Sequence, residues 1–444
     1  MILGGVCSMN SIDKVTILEL TLHHQRVGYL AGFSGGKNIL LFADSFRANT
    51  DRPTLGLITH PIFPNSAKLL AQDWVSHQRL HPILSNLLPE GALRELLVQG
   101  LKTYIDNEFQ LFATLGHDLP GGLVARALKP EQTPNQVQRR LRLSDIRQIV
   151  DSETTLIGNK FSLAGVQMKF SMREQDGRFN LTQATSSDDS ALDSKSLGDW
   201  IIKTPSTRHA YVPLNEYTAM MLAKMVGVDI PEIKLVDMSQ LDNLPPINLP
   251  QEQYAFAIKR FDRLVSAHGV DRVHMEDFAQ VLSKYPHEKY NSANYEQIGR
   301  VLYQFSGDAI SDIQQFARRL LVNILLANGD AHLKNWSLLY RDQVTPVLSP
   351  AYDILTTSVY IQGERHFALN LAKNKDWYLV EMSHFQQWAE KAGVPWRMIK
   401  PHLDDVMDKA RTLWSSALND LPMIAEHQVQ LRAHWQLLSP DFRI

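Results

Sequence analysis

Asn328-Gly329-Asp330-Ala331-His332-Leu333-Lys334-Asn335, followed after a proline-broken segment by Tyr352-Asp353-Ile354, is the stretch on which the reading of this chain turns. An aspartate, an asparagine five positions later and a second aspartate in an apolar, strand-like setting are the residue types a phosphoryl-transfer site requires. One carboxylate accepts a hydroxyl proton, while an amide and the second carboxylate hold Mg2+. The same letters also spell a turn that closes an apolar helix expected from Ile313 to Ala327, with His332 and Lys334 as exposed residues. Taken alone, the two readings stand even.

Working outward, Lys203 ends the apolar strand expected over Asp199 to Lys203, and Glu216 lies in the first turn of a helix expected over Asn215 to Val226. A strand lysine that contacts ATP phosphates and is positioned by a helix glutamate is the recurring arrangement in protein kinases. A snorkelling surface lysine and a glutamate complementing the helix dipole explain the same letters. Phe161 to Lys169 joins two strand candidates. Its small residues Ala164 and Gly165 let backbone N–H groups approach a triphosphate, and Lys169 adds positive charge; a plain hairpin turn is the simpler reading. Phe261, where the last expected strand meets the helical half, can wall an apolar slot for a purine, against an equally weighted capped strand end.

Composition sets the frame. The 444 residues, 44% of them apolar, suffice for two or three domains with real cores. A formal charge of −2 gives no overall electrostatic case for non-specific DNA binding. A single cysteine, Cys7, excludes an intrachain disulfide and a cysteine-based zinc site. It fits a reducing compartment, so cytoplasm is the expected location. No apolar run approaches the length of a membrane span, and Met1 to Met9 lacks a basic leader; either methionine can be the natural start. The 16 histidines show no HExxH spacing.

Alternating apolar residues predict strands at Val15 to Leu22, Arg26 to Leu30 and Ile39 to Phe42, then helices over Ile83 to Gln99 and Phe109 to Leu115. Lys129 to Asp151 reads as a linker and an exposed helix whose basic run, Arg139-Arg140-Leu141-Arg142, is a solvated face. A β-rich stretch follows from Lys160 to Lys203, with further strands at Ile233 to Val236 and Tyr254 to Phe261. From Met275 onward nearly everything reads as helix except Trp336 to Tyr340 and the region around Phe367. The fold expected is therefore α+β and bilobal: an extra N-terminal subdomain over 1–128, a β-rich N-lobe over 129–261 and an all-α C-lobe over 262–444.

The weak signals fall in one order. Ser-Leu-Ala-Gly-Val-Gln-Met-Lys (162–169), Trp-Ile-Ile-Lys (200–203), Asn-Glu-Tyr (215–217), Lys-Arg-Phe-Asp-Arg (259–263), Asn-Gly-Asp-Ala-His-Leu-Lys-Asn and Tyr-Asp-Ile together resemble the HipA family of bacterial serine/threonine kinases, the toxin halves of type II toxin–antitoxin pairs. Arg26-Val27-Gly28, Asn86-Leu87-Leu88-Pro89 and the Gly116 to Gly122 loop extend the resemblance over nearly the whole chain.

That resemblance implies Asp330 as catalytic base and Asn335 and Asp353 as Mg2+ ligands. It implies Lys203, supported by Glu216, on the phosphates of ATP, with His332 near the nucleotide and Phe261 at the adenine. The backbone of Ala164, Gly165, Val166 and Gln167, with Lys169, would cover the phosphates. Ser162 matches an autophosphorylated serine, and phosphate there would repel a triphosphate from the loop. Lys259, where the family prototype is acidic, and Met168, where it is charged, are departures. The resemblance further implies a helix-turn-helix, HipB-like antitoxin, operator DNA bound mainly through it, and an aminoacyl-tRNA synthetase as substrate, with growth arrest or persistence as the outcome. The same residues also resemble aminoglycoside and choline phosphotransferases, although no histidine precedes Gly329-Asp330. A small-molecule kinase and a non-catalytic antitoxin-binding regulator are the alternatives.

Overall fold

The computed structural model describes residues 14–101, 103–143, 146–149, 167–181, 197–245, 248–266 and 269–444. Strands β1 (Lys14–Leu22), β2 (Gln25–Phe33), β3 (Lys37–Phe42), β4 (Trp74–His77) and β5 (Leu123–Ala127) lie in the order β4-β3-β2-β1-β5, with β6 (Arg147–Gln148) parallel to β1. Both faces of this sheet are covered, so its strands are apolar on both sides rather than alternating. Leu18, Leu20, Leu30 and Leu40 pack with Leu97, Leu111 and Phe112 on one face, while Ile17, Tyr29 and Leu41 pack with Val137 and Leu141 on the other. The segment read as a linker with an exposed helix therefore carries a packed helix, Asn135–Leu141, because Val137 and Leu141 sit four apart on one helical face. At Gly28 a side chain would collide with the Leu41 carbonyl.

The single helix expected over Ile83 to Gln99 is two, Pro82–Ser85 and Gly91–Leu101. Pro89 removes an amide donor and Gly91 takes φ +59°, so the helix cannot run through. Glu90 is left at the corner.

The second sheet is β7 (Lys169–Gln175), β8 (Arg178–Leu181), β9 (Trp200–Lys203), β10 (Ile233–Asp237), β11 (Leu241–Asp242) and β12 (Tyr254–Lys259), ordered β10-β12-β9-β7-β8-β11. The two-residue period of β9 sends Trp200 and Ile202 into the cluster with Phe170, Met172 and Ala257. Lys203, next in alternation, faces the helix Val212–Met225, as does Phe256, its register partner.

The C-terminal half buries a large core formed by the helices Tyr295–Phe305, Ala309–Leu325, Met382–Ala392, Lys400–Lys409 and Ala425–Leu437. It is not all-α. Strands β13 (Arg263–Ser266) and β14 (Gly269–Arg272) pair; β15 (His274–Asp277), β16 (Ser337–Tyr340) and β17 (Val347–Leu348) form a sheet; β18 (His366–Leu371) and β19 (Asn374–Asp376) pair. The polar sequence of β15 hid it, because its polar side chains are buried against the N-terminal subdomain: Glu276 accepts from Leu57 N at 2.6 Å, and His274 Nε2 meets Leu55 O at 2.9 Å. Among the described residues no helix is long and apolar enough to cross a membrane.

Candidate active site

Lys203 lies at the centre of a buried ionic group. Its Nζ contacts both Glu216 and Asp353, and Lys169 Nζ approaches Asp353 Oδ2 to 3.2 Å. Lys203 is 4% exposed and Glu216 1%, which excludes the snorkelling reading for the lysine. The helix begins at Val212, so Glu216 stands one turn inside it rather than in its first turn. Burial works against the Lys203 charge, but Asp353 and Glu216 outweigh it and hold the ammonium above its ordinary range. Asp353, half-buried, is held ionised by Lys169 and Lys203 against the cost of desolvation. Burial pushes Glu216 up, partly offset by the lysine it shares with Asp353. Asp353 takes φ +55°, a left-handed conformation that aspartate tolerates better than most residues.

Asp330 follows the end of the helix Ala309–Leu325, in a turn that Asn328 knits together. The Asn328 amide donates to Asn323 Oδ1 at 2.7 Å and Asp353 O at 3.4 Å, while its own Oδ1 accepts from Asp330 N at 3.1 Å. One side chain thus ties the helix end, the loop of Asp330 and the backbone of Asp353. The space at Gly329 is crowded: a Cβ would collide with the Glu364 carboxylate and come within 3.0 Å of His366 O. The Tyr290 hydroxyl donates to Asp330 Oδ1 at 2.8 Å. Asn335 and Asp353 line one small cavity, together with Arg319, Asn323 and Asn328.

His332 is buried, not exposed. Burial pushes its pKa down to about 4, so it is neutral near pH 7; its ring meets the Tyr290 ring edge-on at 5.0 Å between centroids. Lys334 is half-buried rather than exposed, against Asn86, Glu90 and Asp277. Phe261 packs on Tyr352, ring centroids 5.4 Å apart. Lys259 pairs with Asp199 at 2.7 Å and lies over the Trp200 ring. Ser162, Ala164, Gly165 and Val166 lie outside the described residues; Lys169 opens β7, and Gln167 lies two residues before it. No local pattern points to Tyr290 or Glu364 as neighbours of the Asp330 turn, whereas the Asn-Gly-Asp motif contains Asn328.

The donor set suits a magnesium nucleotide. An ionised carboxylate and an amide oxygen at one cavity are hard oxygen donors, and Mg2+ takes one or two such ligands together with phosphates rather than an all-protein cage. Consistently, no group of three or more His, Cys, Asp or Glu suited to a metal occurs among the described residues. Lys169 and Lys203 supply the countercharge a polyphosphate needs.

A β-rich lobe bearing a strand lysine paired to a helix glutamate, set against a helical lobe with this loop, is a protein-kinase-like fold. The chain belongs to the HipA family. The HipA-like C-terminal domain matches residues 161–414 and the HipA N-terminal domain residues 18–126. A Sinorhizobium fredii protein named as kinase Y4dM is 35% identical over 415 residues, 94% of this chain and 95% of that one. The serine/threonine-protein kinase toxin HipA of Shewanella oneidensis is 22% identical over 84% of this chain and 85% of its own length. The solved structure of the Shewanella oneidensis HipA, HipB and operator DNA complex matches with a TM-score of 0.67 at 20% identity, covering 95% of this chain and 96% of the matched one.

Proposed function

We propose that this chain is an ATP- and Mg2+-dependent serine/threonine protein kinase that acts as the toxin of a toxin–antitoxin pair. The observation that carries the reading is the ionic group made by Lys203, Glu216 and Asp353, residues from a strand, a helix and a distant loop. Bound Mg·ATP supplies the transferable phosphoryl group. Asp330 accepts the proton of a serine or threonine hydroxyl as its oxygen bonds to the γ-phosphorus and the β–γ bridging bond breaks, releasing ADP. Asn335 and Asp353 are the metal ligands, and Lys203 and Lys169 neutralise phosphate charge. Neutral His332 borders the nucleotide site, Phe261 the adenine, and the backbone of 164–167 covers the phosphates. Most of the acceleration comes from positioning and charge complementarity.

Ser162 is the proposed autophosphorylation site. By family relationship, the partners are a HipB-like helix-turn-helix antitoxin and, mainly through it, operator DNA. An aminoacyl-tRNA synthetase is the proposed substrate, phosphorylated in the cytoplasm, with stalled translation and growth arrest or persistence as the result.

The test is incubation with Mg·ATP beside Asp330→Gln, with phosphate mapped by intact-mass and peptide mass spectrometry. Phosphate on Ser162 in the wild type alone supports the reading. Turnover of ATP only when a small hydroxyl compound is added would replace it with a small-molecule kinase. Nucleotide binding with no transfer to any acceptor would leave a non-catalytic antitoxin-binding regulator.

A further inference from the structure

Lys334 lies between His332 and Asn335, yet its side chain points away from the nucleotide side, into the N-terminal subdomain. Its ammonium donates to Asn86 O at 2.8 Å and Asn86 Oδ1 at 3.2 Å. It also pairs with Glu90 Oε1 at 3.1 Å and Asp277 Oδ2 at 3.4 Å. The other Glu90 oxygen, Oε2, pairs with Lys289 Nζ at 2.6 Å. Lys289 in turn accepts from the loop itself, Leu333 N to Lys289 O at 3.2 Å, while Asn86 Nδ2 donates to Lys284 O at 2.7 Å. Glu90 therefore grips the Asp330–Asn335 loop twice, directly through Lys334 and indirectly through the segment that carries Lys289.

The electrostatics agree with this geometry. Glu90 is half-buried, and desolvation alone would raise its pKa, but Lys334 and Lys289 hold it down at about 2. A half-buried carboxylate between two lysines is costly to disturb, because removing it takes the ion-pair partner from Lys289 and leaves Lys334 to pair with Asp277. The sequence places Glu90 at the corner between Pro89 and Gly91, where the backbone cannot relax as a helix. The corner, rather than the helix that follows it, carries the contact.

We propose that Asn86 and Glu90 are positioning residues for phosphoryl transfer, by which the N-terminal subdomain holds the Asp330–Asn335 loop in register through Lys334. The inference rests on the kinase reading given above. It makes the subdomain part of the catalytic apparatus even though it supplies no group to the reacting atoms. A misplacement of about 1 Å in such a loop is enough to cost on the order of 100-fold in rate.

The experiment compares full-length wild type with Glu90→Gln, which keeps the shape and removes the charge. Three quantities are read: the single-turnover rate constant for self-phosphorylation at saturating Mg·ATP, the dissociation constant of Mg·ATP, and backbone hydrogen exchange over residues 328–336. The inference expects a rate loss of about 10- to 100-fold, an ATP dissociation constant within about twofold, and faster exchange in that loop. A folded Glu90→Gln protein with an unchanged rate overturns it, as does a slower protein whose loop exchange is unchanged. Lys334→Met provides an independent check: if Glu90 acts through Lys334, adding Glu90→Gln to that variant costs little further rate, whereas full additivity overturns the coupling. A wild type that transfers no phosphate sinks the kinase reading and this inference together, an outcome plainly different from an active wild type and an equally active variant.

Discussion

The hydroxyl of Tyr290 rests on Asp330 Oδ1 at 2.8 Å, so this chain's own phenol makes the hydrogen bond that an acceptor hydroxyl would have to make. Tyr290 is 39% exposed, and water competes for the interaction. A hydrogen bond to a charged group contributes about 1.5–3 kcal/mol at most, less where solvent reaches it. The prediction is that Tyr290→Phe raises the initial rate on a synthetic peptide of residues 155–169 at sub-saturating peptide, by no more than about tenfold. Its Mg·ATP affinity should stay unchanged. A rate that falls instead would mean that Tyr290 orients the base rather than occupying the acceptor's place.

Lys203 and Glu216 give a stability prediction. Removing one partner of a buried pair costs about 3–5 kcal/mol because the other charge is left unpaired. Lys203→Met strands Glu216, which is 1% exposed, and leaves Asp353 with Lys169 alone. Urea unfolding should show a large loss for Lys203→Met and a smaller one for Lys203→Met with Glu216→Gln. Equal losses for the two would show that the pair does not dominate local stability.

The reach of the sequence can be judged residue by residue. Lys203, Glu216, Asp330, Asn335 and Asp353 were legible because each sits in a local pattern, a strand end or a turn, whose spacing survives without knowledge of the fold. Tyr290 was not legible: it meets Asp330 across 40 residues, and no local pattern records that contact. The strand β15 was missed because His274, Glu276 and Asp277 look like surface residues until the N-terminal subdomain covers them. Polar residues that are buried by a second unit defeat hydrophobic periodicity, which assumes that polar means solvated. The same blindness made Lys334 look exposed.

Glu276 makes stability depend on pH. It is fully enclosed, accepting from Leu57 N and the Tyr340 hydroxyl, and burial raises its pKa from 4.5 to about 8. The folded state therefore holds this proton more tightly than the unfolded chain. Its contribution is full below pH 4.5 and is lost as pH rises toward 8, with a slope of about 1.4 kcal/mol per pH unit. The buried histidines His81, His274, His332 and His434, held near 4 by burial, act below 6.5 and in the opposite sense. Because unfolded histidines are still half protonated at pH 6.5, the glutamate is read from the difference between wild type and Glu276→Gln in denaturant unfolding: from pH 6.5 to 8 wild type should lose about 2 kcal/mol relative to the variant. Parallel slopes for the two proteins would assign the effect elsewhere.

Gly329 separates the loop's shape from its chemistry. A methyl group there collides with the Glu364 carboxylate, which accepts from the Thr357 hydroxyl, and crowds His366 O at 3.0 Å. Thr357 Oγ1 also accepts from Gly329 N at 2.7 Å. Gly329→Ala therefore pushes on the same hydroxyl that holds the turn, and the strain falls next to Asp330. Overpacking of this kind costs about 1–3 kcal/mol, small against the whole fold but concentrated in the loop that carries Asp330. The expected result is a single-turnover rate reduced by at least about tenfold, with the secondary-structure signal and Mg·ATP affinity preserved. Trimming the obstacle with Glu364→Ala in the same chain should recover part of that rate, because the added methyl then has room. If the double variant is no faster than Gly329→Ala, the loss comes from the crowding against His366 O and not from the carboxylate beside it.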